Sequence, residues 1–186
     1  MRTLIHFIHV SLDGRICGPN GEFDWPRMGP ELSAHSVALN ERIDTLLYGR
    51  VVWGWMSSYW PTADEDSDSP HDKAYAPVWR ATHKVVVSRT LESVDQPRTD
   101  LIRDDVHARI QALKEQPGKD IVLMGGAALA ADLTEAGLVD ELHIGVHPVI
   151  LGGEHAVLPT PSRQNFDLVD SQVYDERVVL STYRRV

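Results

Sequence analysis

Cysteine is almost absent, with Cys17 standing alone among 186 residues. No internal disulfide can form, and a lone thiol fits a reducing compartment better than a secreted, disulfide-stapled fold. Also missing is any apolar run near the roughly 18 residues of a membrane span. The opening strand-like run, Leu4–Val10, is interrupted by His6 and His9 and lacks the basic head and cleavage site of a signal peptide. A cytoplasmic location without membrane attachment is therefore expected. Positive charge is scarce as well, since 18 Lys and Arg face 27 Asp and Glu, for a formal net charge of −9. That balance argues against nucleic acid as a main partner, because a phosphate backbone needs a basic face. It leaves room for a dinucleotide, which needs only a few local cations and free backbone donors.

Several catalytic signatures are missing too. The chain has nine histidines, but no compact Cys/His/Asp spacing groups them as metal ligands, so no metal site is expected. His143 and His147 share a strand face, whereas His6 and His9 fall on opposite faces of theirs. No G-x-S-x-G elbow supports a serine hydrolase, and no G-x-G-x-x-G marks a Rossmann fingerprint.

What is present reads as one α/β domain spanning residues 1–186. Hydrophobic residues make up 42% and charged residues 24% of the chain, enough to bury a core without staples. Strand-like runs at Leu4–Val10, Thr45–Tyr48, Lys84–Ser88, Asp100–Arg103, Ile121–Met124 and Glu141–Val149 alternate with helical ones, as in a sheet with crossover helices. Phe166–Tyr174 and Arg177–Tyr183, parted by Asp175-Glu176, predict an antiparallel C-terminal hairpin. Val106, Ile110 and Leu113 line one face of a helix that Asp104 or Asp105 would cap and Pro117-Gly118 would end. Leu129, Leu133 and Ala136 define another, ending at Gly137. A third helix is expected near Glu31–Ile43. The acidic segment Asp64–Asp72 reads as a solvated, mobile surface loop, with a gate over the active site as the alternative.

Three strand ends carry features suited to a phosphate ligand. Val122–Met124 runs into Gly125-Gly126 and then directly into the helix at Ala127, where backbone can approach a ligand and free N–H groups favour an anion. Leu46–Tyr48 runs into Gly49-Arg50, and Val85–Val87 into Ser88-Arg89, so a guanidinium follows each strand. In open α/β sheets, ligands bind at the carboxyl edge of the strands.

Taken in order, these pieces resemble the dihydrofolate reductase superfamily, and within it the branch of bacterial riboflavin-biosynthesis reductase domains. The matching segments are His9–Ile16, Tyr48-Gly49-Arg50, Val87-Ser88-Arg89, Met124–Leu129, Ala136–Leu142 and His147–Gly153. The resemblance implies a three-layer fold, a mainly parallel mixed sheet flanked by helices with an antiparallel C-terminal hairpin. It implies NADPH as cofactor and a small heterocyclic or carbonyl substrate, either a pterin or a riboflavin precursor. Gly49, Arg50, Ser88 and Arg89 would face the adenosine phosphates, and Gly125, Gly126 and Ala127 the pyrophosphate. Gly125-Gly126 is a candidate for a cis peptide. Ile16 would belong to the loop Ile16–Trp25 that covers the nicotinamide. For proton supply the likeness points to Glu31 at the start of the first helix, with Asp13 and Asp24 as alternatives. Relatives on this branch pair, so a homodimer is expected.

Three positions depart from the family pattern. Val52 and Ala128 stand where many relatives place a threonine and an arginine that grip phosphate, and Glu154 replaces a glycine in a turn. The first two keep open a second reading, a ligand-binding protein of the same fold with little or no catalysis. The aromatic middle (Trp53, Trp55, Trp60 and Trp79 with Tyr59 and Tyr75) reads as core or subunit interface, with stacking on a flat substrate ring as the alternative.

Overall fold

A computed structural model describes residues 1–186. Its eight strands form one sheet in the order β4-β3-β2-β5-β1-β6-β8-β7. They are β1 (Leu4–Ser11), β2 (Ile43–Gly49), β3 (His83–Val87), β4 (Thr99–Ile102), β5 (Asp120–Leu123), β6 (Glu141–His147), β7 (Phe166–Tyr174) and β8 (Val178–Arg185). The strands from β1 to β6 run parallel, and β8 and β7 add to β6 antiparallel. The turn at Asp175 and Glu176 has φ of 55° and 50°, the left-handed pair whose twist suits a two-residue hairpin.

Neighbouring residues of the central strands point to opposite faces, and each face is apolar. Leu4, Leu47, Val85, Ile121 and Leu123 pack with Ile110 and Leu133 on one side. The helices there are α5 (Val106–Glu115) and α6 (Ala127–Glu135). On the other side Ile5, Leu46, Tyr48, Val86 and Val122 pack with Trp53, Tyr75 and Trp79, which belong to α2 (Arg50–Tyr59) and α4 (Pro70–Ala81). Alongside them run α1 (Pro30–Arg42) and a single turn, α3 (Ala63–Asp66). The buried Trp79 indole donates to the Tyr48 hydroxyl at 3.0 Å, so two large rings enter the core without an orphaned polar group. No helix is long and apolar enough to cross a membrane.

Two sequence expectations are corrected here. The acidic segment Asp64–Asp72 is ordered, because its charges are engaged: Asp64 binds Arg80 through two contacts of 2.7 Å, and Asp72 is buried in the first turn of α4. Ser69 caps that helix by accepting from the Asp72 N–H at 3.4 Å, with Pro70 following. Neither Asp104 nor Asp105 caps α5 with its side chain. Asp105 takes the N-cap position with φ of 46°, while Asp104 pairs with Arg109 at 2.8 Å.

Candidate active site

The order of the strands creates a crevice. After β2 the chain moves outward to β3 and β4, then returns to insert β5 between β2 and β1 before crossing to β6. Connections from the carboxyl ends of β2 and β5 therefore leave in opposite directions, which is the switch point where open α/β sheets bind ligands. Glycines make the approach possible there. The Gly49 N–H donates to the Gly125 carbonyl at 2.7 Å, and a Cβ on Gly49 would stand 3.2 Å from the Gly126 nitrogen. Gly125 has φ of 116°, and its peptide bond to Gly126 is cis.

Both helices that start at this crevice have a glycine at the N-cap, Gly49 for α2 and Gly126 for α6, and neither has a side-chain cap. Their leading N–H groups, with the positive ends of two helix dipoles, are free for an anion. Arg50 and Arg89 are exposed just past β2 and β3. Ser88 is buried, and its oxygen accepts from the N–H groups of Thr90 and Leu91 at 3.2 and 3.0 Å, shaping the turn that presents Arg89.

Beside the glycines opens a cleft of about 720 Å³, ample for a flat ring and the end of a cofactor. β1 contributes His6 through His9, the β5–α6 turn Met124 through Ala127, and α2 Val52, Trp55, Met56 and Tyr59. Trp60, His71, Asp72 and Tyr75 extend the wall, and Ile16, Cys17, Gly21 and Phe23 close over it. Phe23 stacks on Trp55 with centroids 5.9 Å apart, so the segment Ile16–Trp25 rests on α2. The aromatic middle thus divides. Trp53 and Trp79 are core, Trp55, Trp60 and Tyr59 line the cleft, and the buried Tyr75 belongs to both.

The cleft is poor in charge. It has no lysine or arginine in its wall, and burial keeps its histidines neutral. The pKa of His6 is pushed down to about 4 by burial, and that of His9 to about 3 by burial and then by His147. His9 Nδ1 and His147 Nε2 lie 3.0 Å apart. A Cβ on Gly145 would come within 2.9 Å of His9 Nδ1, so the glycine leaves room for the ring.

The sequence candidates fall into two groups. Ile16, Gly49, Gly125, Gly126 and Ala127 meet at the crevice and cleft, and Arg50, Ser88 and Arg89 lie along the neighbouring strand ends. Glu31 and Asp13 do not reach the cleft, because backbone donors hold both carboxylates elsewhere. Glu31 accepts from the Asp175 N–H at 2.6 Å, while the Asp175 carboxylate accepts from the Glu31 and Leu32 N–H groups at 2.9 and 3.1 Å. The hairpin turn therefore caps α1 in place of its N-cap, Gly29. Asp13 accepts from the Ser11 hydroxyl and the N–H groups of Leu151 and Gly152. Those bonds, led by Ser11, hold its pKa down at about 2. Asp24 also lies outside the cleft wall. Sequence reasoning missed His9, His71 and Asp72. The Ser69-Pro70 start of α4 was the signal that would have placed the last two on a helix.

The sequence profile of the RibD C-terminal domain family matches residues 2–180. The chain is 37% identical over 186 residues to the uncharacterized protein YyaP of Bacillus subtilis, covering 98% of this chain and 94% of that one. Among solved structures it is similar to a protein assigned to riboflavin biosynthesis from Shewanella sp. PV-4, with 26% identity, a TM-score of 0.75 and 99% of each chain covered. Dihydrofolate reductase from Enterococcus faecalis complexed with NADP(H) superimposes with a TM-score of 0.66 at 16% identity, over 98% of this chain and 96% of that one. The three-layer architecture is thus the dihydrofolate-reductase-like fold.

Proposed function

The chain belongs to the RibD C-terminal domain family, and from that premise we propose that it is a reductase that takes hydride from NADPH and delivers it to a small planar heterocycle or carbonyl compound. The observation that carries this reading is the glycine crevice between β2 and β5, opening onto an apolar, aromatic cleft. A Cβ on Gly125 would stand 3.3 Å from Val52 Cγ2, so side-chain-free backbone keeps the approach open. The residues fit a dinucleotide. Gly125, Gly126 and Ala127 with the free N–H groups of α6 would receive the pyrophosphate, Gly49, Arg50, Ser88 and Arg89 the adenosine phosphates, and Ile16 the nicotinamide.

Bound NADPH supplies the hydride; the chain supplies position and a dry, low-charge setting. Phe23 and Trp55 roof the cleft and limit water. Neutral His6 and His9 leave no fixed cation to attract anions into it. The carboxylates of Glu31 and Asp13 are engaged outside the cleft, so neither delivers the proton that follows the hydride.

The test is consumption of NADPH in the presence of a panel of pterins, aminopyrimidines and simple carbonyl compounds. Turnover with at least one planar heterocycle is expected. Tight NADPH binding with no turnover on any of them would instead support a ligand-binding protein of this fold.

A second copy is proposed as the partner. β7 is an edge strand exposed on both faces, with Leu168, Val169 and Val173 between 49% and 65% exposed, and a long uncovered edge of this kind invites pairing.

A further inference from the structure

The wall that α2 and α4 add to the cleft contains one carboxylate in otherwise uncharged surroundings. Asp72, only 8% exposed, sits in the first turn of α4, and Ser69 fixes that turn by accepting from the Asp72 N–H. Its Oδ2 is saturated, accepting from the Tyr59 hydroxyl at 2.7 Å and the Ser67 hydroxyl at 2.6 Å. Its Oδ1 accepts from no protein donor, and Asp72 forms part of the cleft wall. No cation balances it. The adjacent Lys73 pairs with Asp68, and the cleft wall has neither lysine nor arginine.

The neighbouring imidazole does not balance it either. His71 stacks on Tyr75 at 5.6 Å and 14°, and its Nδ1 is bonded to Ser33 Oγ at 2.8 Å. Burial, the dominant influence, pushes the His71 pKa down, so the ring is neutral near pH 7. Tyr59 remains a phenol that donates to Asp72, its pKa pushed up by burial and then by that carboxylate. A carboxylate oxygen at the cleft wall that no protein group satisfies can accept a charge-assisted hydrogen bond from a ligand N–H. Flat aromatic surfaces stand beside it, with Trp60 and Tyr75 4.7 Å apart.

We propose that Asp72 is the specificity residue for the substrate ring. Its free oxygen receives an N–H of a planar, amino-substituted nitrogen heterocycle lying in the aromatic part of the cleft, and this region accepts no phosphate group. The second half follows from charge. A phosphate dianion would meet a carboxylate and no cation, a like-charge pairing that a desolvated site disfavours. This assignment rests on the reductase reading for the fate of the ring, but recognition itself needs no hydride transfer.

The experiment is calorimetric titration of the full chain with 2,4-diamino-6-methylpyrimidine and with 2,4,6-trimethylpyrimidine, a ring of the same shape without N–H groups. Cytidine and cytidine monophosphate form a second pair, titrated with saturating inorganic pyrophosphate so that the anion-receiving glycine crevice is already filled. The diamino ring should bind at least about tenfold more tightly than the trimethyl ring, the size of one charge-assisted hydrogen bond. Asp72→Asn should bring that ratio to within about twofold, and cytidine monophosphate should bind no more tightly than cytidine. Equal binding of the two pyrimidines to the unmodified chain overturns the proposal, and that comparison stands even if Asp72→Asn fails to fold. An unchanged ratio in folded Asp72→Asn, or tighter binding of the monophosphate, also overturns it. NADPH affinity, titrated separately, keeps the two claims apart. Its absence would remove the reductase reading and leave the recognition result intact.

Discussion

Arg50 and Arg89 are exposed at neighbouring strand ends, where a guanidinium can fork onto a phosphate that NADPH carries and NADH lacks. An arginine–phosphate contact contributes roughly 1.5–3 kcal/mol. Arg50→Ala with Arg89→Ala should weaken NADPH by about tenfold or more and leave NADH nearly unaffected, read by fluorescence titration of both cofactors. An equal loss for the two would show that these arginines do not read the extra phosphate. Glu31 lends itself to a different test. Its carboxylate and that of Asp175 hold each other's backbone N–H groups between α1 and the β7–β8 turn, so Glu31→Ala should cost about 1 kcal/mol of stability, the scale of a lost cap. Turnover should stay within about twofold in the same variant. A hundredfold fall in kcat without loss of stability would return Glu31 to proton transfer.

At the scale of elements, the central strands were legible because they read as near-continuous apolar runs, as strands covered by helices on both faces do. Leu46-Leu47 and Val85-Val86 show this, each pair split between two cores. The glycine turns were legible because Gly49 and Gly125-Gly126 follow strands directly. α4 was not, since four acidic residues just ahead of it dominate the local composition, and a tertiary pairing with Arg80 neutralises one of them. The capping of α1 was also invisible in sequence, because the cap comes from Asp175, 144 positions away from Glu31. Pairing of β1 with β6 has its own consequence for stability. His6 and His147 are each 1% exposed, and burial lowers both pKa values to about 4, with Arg177 adding to the effect at His147. The unfolded chain takes up protons near pH 6.5 that the native state refuses. Their contribution is therefore intact above about pH 6.5 and is lost as pH falls toward about 4. Each should remove about 2 kcal/mol between pH 7 and pH 5, measured by urea denaturation. His6→Leu should reduce the fall by about that amount, and an identical fall in the variant would show that His6 does not titrate this way.

At the scale of the molecule, the sheet ends in the four-residue β4 on one side and in the nine-residue β7, exposed along most of its length, on the other. Pairing of two copies there would cover Leu168 and Val173, so light scattering should give about twice the 20.8 kDa chain mass. Leu168→Lys with Val173→Lys should return it to the monomer. A monomer mass for the unmodified chain would contradict the pairing. The net charge of −9 is spread over a protein whose crevice presents free N–H groups and arginines, so the local field, more than the total, decides whether a polyanionic cofactor enters. The most direct test of that claim is equilibrium titration with NADPH, following energy transfer to the nicotinamide from the tryptophans that line the cleft. The account predicts a saturable signal with a dissociation constant of about micromolar order, NADH binding more weakly. No saturation by either cofactor up to millimolar concentration would contradict it.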